Sequence, residues 1–167
     1  KEVLCLLEEL EEAEAKEKAR NSFMGFCNRV WPAFIEGRHH KIYAQKLQDV
    51  ADGKCKRLII NMPPRHTKSE FASYLFPAWM IGRFPKMKIM QVSHNAELSS
   101  RFGSKVRNLM ESPEYKQIFG DVRLREDSKA KGRWETNHGG EYFAAGVGGS
   151  ITGRGADLLI IDDPHTE

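Results

Sequence analysis

Two apolar runs in this chain each lead to side chains that can bind phosphate or a metal ion. The first, at residues 58–62, leads to Lys68 and Ser69, and the second leads to Asp162 and Asp163. A lysine and a hydroxyl at the start of a helix can hold triphosphate oxygens and Mg²⁺, and an aspartate at the end of another strand can hold that ion from the other side. The two runs together predict an ATP-hydrolysing enzyme, whereas neither would do so alone.

The loop before Lys68 departs from the usual phosphate-binding pattern. The pattern G-x-x-x-x-G-K-[ST] would place glycines at the positions that hold Met62 and Thr67. A lysine in the first turn of a helix opposes the helix dipole unless an anion binds there, so we favour phosphate binding over a purely structural role. Ser69 is also the expected Mg²⁺ ligand of the loop, and Arg65 either reaches the γ-phosphate or faces water. The predicted ATP contacts in the loop are Pro64, Arg65, His66, Thr67, Lys68 and Ser69.

The acidic end of the second run predicts the metal and catalytic side chains. Asp162 leaves the core at the carboxyl end of a strand, where open α/β sheets bind ligands, and we expect it to hold Mg²⁺ through water. Asp163 is a candidate for orienting or deprotonating the attacking water, and Glu167 is a second candidate. The alternative for Asp163-Pro164 is a turn that follows the strand.

Hydrophobic spacing predicts a mixture of helices and strands in one α/β sheet, mostly parallel and flanked by helices. Helices are expected over 3–18, 23–36, 42–51 and 98–109, and from Lys68 onward with a kink or restart at Pro77. Buried strands are expected at 58–60, 88–92 and 158–161, and a hairpin joins 133–136 to 141–144 through a four-residue turn.

Composition limits the alternatives without choosing among them. The chain has 167 residues, a net charge of +3 and three cysteines without metal-ligand spacing, so we expect neither a disulfide framework nor a zinc site. No apolar run approaches the ~20 residues of a membrane span. The charge permits nucleic-acid binding but does not argue for it. We expect a helical lead-in over 1–37 and an ATPase core over 38–167 that continues beyond the chain end.

Several separated motifs resemble those of tailed-phage terminase large subunits. They are residues 58–70, Gly132–Thr136, Gly146–Asp157 and Ile160–Pro164, and they occur in the family's order. The resemblance implies the ATPase half of a DNA-packaging motor, with a P-loop fold of the additional-strand Glu type and a β-hairpin insertion. It also implies a homo-oligomeric ring on the portal in the host cytoplasm, with double-stranded DNA and the small terminase subunit as partners. The nuclease half is absent, so no DNA cleavage is expected.

The resemblance also suggests roles for individual side chains. Arg65 would be the arginine of the phosphate loop that contacts phosphate, and Asp162 would be the Walker B aspartate. Arg154, in a glycine-rich loop, is either an arginine finger that acts on a neighbouring subunit or a tether of its own loop. Gln45 is a candidate adenine contact, with a surface role as the alternative. The rival functions are a helicase-like motor and a nucleotide-binding module that does not hydrolyse ATP.

Overall fold

The computed structural model describes residues 2–149, 151 and 153–165 of the chain. Its helices are α1 (Glu2–Asn21), α2 (Phe23–Val30), α3 (Arg38–Ala51), a π-helix (Glu70–Leu75), α4 (Phe76–Arg83), α5 (Ala96–Glu111) and α6 (Pro113–Ile118). Its strands are β1 (Lys88–Ser93), β2 (Leu124–Lys129), β3 (Arg133–Thr136), β4 (Glu141–Gly146) and β5 (Leu158–Ile161). The helices expected from hydrophobic spacing are therefore present, although α2 ends earlier than predicted, and α6 and β2 were not predicted.

The five described strands form one mixed sheet in the order β2-β3-β4-β1-β5. β1 lies between β4 and β5 and pairs in parallel with both, whereas β2-β3 and β3-β4 are antiparallel. The predicted hairpin is confirmed, but its second strand is an integral neighbour of β1. The expected parallel pairing is therefore present around β1, and the hairpin adds antiparallel pairs, so that two of the four described pairings are parallel.

The apolar run at 58–62 is not a strand in the structure, contrary to the prediction. It has no regular secondary structure and no ladder partner among the described residues, although no described strand lies beyond β5 at that edge of the sheet. Leu58 and Ile60 pack against the core, while Ile59 is 88% exposed. Because burial alternates in this way, one face of the segment packs against the core and the other faces solvent. Apolar composition predicts burial, but a strand also needs ladder hydrogen bonds to a neighbouring strand, and none is described for this segment.

Aromatic packing joins the N-terminal helices to the helix that carries Lys68. The Phe23 ring lies edge-on to Phe71 at 5.5 Å and to Phe76 at 5.4 Å between centroids. The indole N–H of Trp79 donates to the carbonyl oxygen of Ala19 at 3.0 Å, and these aromatic side chains are fully or almost fully buried. Each buried large side chain of this kind contributes ~1.5–3 kcal/mol through the area it removes from water. The predicted lead-in thus shares one core with the rest of the chain.

Candidate phosphate-binding site

The helix that follows the phosphate loop changes its register within two turns. Lys68 and Ser69 begin it in α-helical geometry, the π-helix follows, and α4 continues from Phe76. The change comes just before Pro77, whose ring would clash with the carbonyl of Ser73 four residues earlier and which has no N–H to donate. A π turn widens the helix locally and is frequent at functional sites. Pro77 therefore explains, from the sequence, why the helix restarts where the restart was predicted.

Two residues of the loop have left-handed backbone conformations although neither is glycine. Arg65 has φ 64° and Thr67 has φ 63°. Thr67 occupies the position where the general pattern has its second glycine, which explains why that pattern prefers a residue without a Cβ. A β-branched residue is strained in this region. The loop therefore adopts a turn that its sequence does not favour.

Tyr43 supports the loop from α3 and was not predicted. Its hydroxyl donates to the carbonyl oxygen of Lys68 at 2.8 Å, and the residue is 4% exposed. Burial, and then the negative charge of Asp162, raise the pKa of Tyr43 well above its usual value, so the hydroxyl remains a donor. This bond fixes the backbone at the residue whose side chain is expected to bind phosphate.

The ammonium group of Lys68 faces both aspartates at the end of β5. Its Nζ lies 2.5 Å from Oδ1 of Asp163 and 3.7 Å from Oδ1 of Asp162. The hydrogen bond with Asp163, followed by the charge of Asp162, raises the pKa of Lys68 above its usual value. The structure thus brings together three predicted site residues that are about a hundred positions apart in the sequence.

The backbone after β5 is anchored to the end of β1. The His94 N–H donates to the carbonyl oxygen of Asp163 at 3.0 Å, and Asp163 itself has a left-handed φ of 45°. Directly after His94, the Asn95 side chain accepts from the N–H of Leu98 at 2.8 Å and caps α5. The exposed Asp163 side chain is in this way presented at the carboxyl edge of the sheet.

Asp162 is held by a buried polar network that sequence reasoning missed. The hydroxyl of Ser73, in the π-helix, donates to Oδ2 of Asp162 at 2.8 Å. Nε2 of Gln91, on β1, lies 3.1 Å from the Ser73 oxygen, and both residues are fully buried. A signal existed in the sequence, because a glutamine in the centre of an apolar strand needs a polar partner.

An open pocket of about 920 Å³ lies between the loop and the end of β5. Five predicted loop residues line it, together with Asp163; His94, Pro164 and His165 line it too and were not predicted. His66 instead turns its Nδ1 to the carbonyl oxygen of Pro64 at 2.9 Å. Its ring centroid lies 5.9 Å from that of His39 at the start of α3. The predicted loop residues that line the pocket are Pro64, Arg65, Thr67, Lys68 and Ser69.

Besides His66 and Asp162, two further predicted site residues, Gln45 and Arg154, do not line this pocket. Gln45 is exposed on α3 and donates to Asp49 at 3.1 Å, and Glu167 lies outside the described residues. Arg154 donates to Glu141 at 3.0 Å and lies 4.1 Å above the Phe143 ring. Glu141 begins β4, which runs parallel to β1, so it lies five residues, ~16 Å, from the edge where β1 ends. The roles of Gln45 and Arg154 stay predictions.

The donor set fits Mg²⁺ bound together with phosphate better than a metal held by protein alone. The described residues contain no group of three or more His, Cys, Asp or Glu side chains that would hold a metal ion. Mg²⁺ commonly uses one or two protein oxygens and completes its shell with water and substrate phosphates. Ser69 and Asp162 can supply two such oxygens.

Comparison with known proteins gives one distant similarity. The chain is similar to the terminase large subunit of Enterobacteria phage T3, with 24% identity over 147 residues. The alignment covers 86% of this chain but only 25% of the phage protein, so the chain spans about a quarter of that relative's length. No family model and no solved structure matches the chain. Among the described residues, no helix has the length and apolar character needed to cross a membrane.

Proposed function

We propose that this chain is the ATP-hydrolysing part of a DNA-packaging motor of the terminase large subunit type, with a P-loop fold of the additional-strand Glu type. The observation that carries the proposal is the position of Lys68, at the start of a helix and facing Asp162 and Asp163 at the end of β5. The similarity to the phage T3 terminase supports the choice among phosphate-binding motors.

Mg²⁺ would be held by the Ser69 hydroxyl and the Asp162 carboxylate, and when bound it neutralises charge on the phosphate oxygens. Lys68 reaches the same phosphates from the helix start. Arg65 lines the pocket and adds a second cation on the loop side. These residues bind and orient the triphosphate, which is the greater part of catalysis in phosphoryl transfer.

Lys68 must change partner when nucleotide binds. In the free chain the Asp163 carboxylate occupies the position of an anion at Lys68. A triphosphate would replace that carboxylate, because it offers more charge and more acceptor oxygens. Asp163, which is exposed, is then free to orient the attacking water or to accept its proton. Binding in this way prepares the side chain that acts in the chemical step.

The proposed motor would also need partners other than this chain. ATP hydrolysis would drive double-stranded DNA through a homo-oligomeric ring at the portal, in the host cytoplasm and with the small terminase subunit. The position of Arg154 supports the proposal of a ring, because Arg154 lies at the opposite end of the sheet from Lys68 of the same subunit. From there it is available to a neighbouring subunit but is held by Glu141 in the free chain.

The proposal is tested by calorimetric titration of the chain with Mg-ATP, alongside Lys68→Ala and Lys46→Ala. Lys46 is a matched control, because it is an exposed lysine on α3 that pairs with Asp49 of the same helix. A charge-assisted bond to phosphate contributes ~1.5–3 kcal/mol, so Lys68→Ala is expected to weaken binding by ~10–100-fold. Lys46→Ala should bind as the unchanged chain does.

A third variant tests the exchange of partners. Asp163→Asn removes the charge that competes for Lys68, so it is expected to bind Mg-ATP at least as tightly while losing hydrolysis. Failure of the unchanged chain to bind, or equal binding by Lys68→Ala, would overturn the proposal. Binding without any turnover would favour the nucleotide-binding module, and separation of DNA strands would favour a helicase-like motor.

A further inference from the structure

Asp162 has two carboxylate oxygens in different environments. Oδ2 accepts the hydroxyl of Ser73 at 2.8 Å, whereas Oδ1 faces the ammonium group of Lys68 at 3.7 Å. The residue is only 6% exposed, so its carboxylate is not free to exchange these oxygens through water. The network therefore decides which oxygen is directed toward the phosphate loop.

The direction of the hydrogen bonds follows from chemistry. An ionised carboxylate can only accept hydrogen bonds, so the Ser73 hydroxyl donates its single proton to the hydrogen bond with Asp162. The Ser73 oxygen must then accept from its other neighbour, which is the amide nitrogen of Gln91 at 3.1 Å. This assignment fixes the orientation of the Gln91 amide, with its nitrogen facing Ser73. Gln91, Ser73 and Asp162 form a series of hydrogen bonds of fixed direction from β1 to the site.

The energetic cost of burying these hydrogen-bonded side chains indicates that they do more than fill the core. Gln91 is fully buried, and its amide oxygen has no hydrogen-bond partner among the residues that the structure describes. Burying an unpaired polar atom is unfavourable, and a methionine of similar length would avoid that cost. A glutamine at this position makes physical sense if the orientation of its amide nitrogen is needed.

We infer that Ser73 and Gln91 are positioning residues that fix the Asp162 carboxylate, so that Oδ1 is directed at a divalent cation bound with nucleotide. The inference rests on the proposed function for its ligand. Carboxylates that bind metals are themselves held by hydrogen bonds, and loss of such a partner typically weakens metal binding by ~10–100-fold. The π register places Ser73 at this position, one turn beyond the predicted ligand Ser69.

The test uses Mn²⁺ and ADP as probes, with bound Mn²⁺ measured by electron paramagnetic resonance. Ser73→Ala is expected to weaken Mn²⁺ binding in the presence of ADP by about tenfold or more. The affinity for ADP alone, measured by calorimetry in EDTA, should not change. Ser99→Ala is the matched control, because Ser99 is also a fully buried serine. Its hydroxyl contacts the carbonyl oxygens of Ala145 at 2.6 Å and Asn95 at 3.4 Å, and not Asp162. This variant should bind both probes normally.

Gln91→Met supplies a second variant, which keeps the test valid if Ser73→Ala does not fold. It removes the unpaired amide oxygen, so the chain should melt at the same or a higher temperature while Mn²⁺ binds more weakly. Unchanged Mn²⁺ affinity in these variants would overturn the inference alone, and so would a parallel loss of ADP affinity. Absence of Mn²⁺–ADP binding by the unchanged chain would overturn the proposed function and this inference with it.

Discussion

Replacing Thr67 with glycine tests whether the phosphate loop is strained where its sequence lacks glycine. Thr67 has φ 63°, in the left-handed region. For an L-residue with a side chain this conformation costs ~1–2 kcal/mol. Glycine removes that cost, but it loses ~0.5–1 kcal/mol more conformational freedom on folding. The hydroxyl of Thr67 donates to the neighbouring carbonyl oxygen of His66 in an exposed position, so the loss of this bond adds little.

The balance predicts that Thr67→Gly stabilises the chain by ~0.5–1 kcal/mol. For a chain of this size, 1 kcal/mol corresponds to ~2–4 °C in melting temperature. Thr67→Asn should come close to glycine, because asparagine tolerates left-handed geometry. Thr67→Ala is the control, since it keeps the strain and should give no gain. Calorimetric melting of the four proteins measures the order.

A specific order of stability would refute this reasoning. If Thr67→Gly melts below Thr67→Ala, the residue at this position does not hold left-handed geometry in solution. Mg-ATP titration of the same variants measures nucleotide binding beside stability. A loop that already has the turn of a glycine-containing loop should bind at least as well once glycine is present.

Two further predictions concern stability away from the loop. Burial, and then the nearby charge of His39, lower the pKa of His40 below its usual 6.5, so the unfolded chain takes up this proton first. Stability should therefore be unaffected by this group above pH ~6.5 and fall as the pH drops below it, with a shallower fall in His40→Asn, as measured by urea unfolding at several pH values. Gly82→Ala would place its Cβ 2.5 Å from the Phe119 ring and should cost ~1–3 kcal/mol, whereas Gly155→Ala, with open space around it, should leave the melting temperature unchanged.

Local patterns in the sequence were enough to predict most of the elements that position the site. The spacing of apolar residues predicts α1, α3 and α5, and the four-residue turn predicts the hairpin of β3 and β4. These signals succeed because helical periodicity, capping and turn preferences depend on residues close together in the chain. The same reasoning predicted β5 and the aspartates that follow it.

Pairing between distant segments was predicted poorly. The run at 58–62 has the composition of a buried strand, yet it pairs with none of the five described strands, although no described strand lies beyond β5. The hairpin joins the sheet beside β1 and makes it mixed. Which edges meet depends on packing of the whole chain, and no short window of sequence contains that information.

The sequence by itself determined which side chains are available for phosphate and metal chemistry, because Lys68, Ser69, Asp162 and Asp163 are set at the ends of recognisable local elements. Only the tertiary structure decided how they are used. It pairs Lys68 with Asp163 and holds Asp162 with a serine that no motif predicts. The physical reason is that hydrogen bonds and ion pairs form between groups that packing brings within about 3 Å, however far apart they are along the chain.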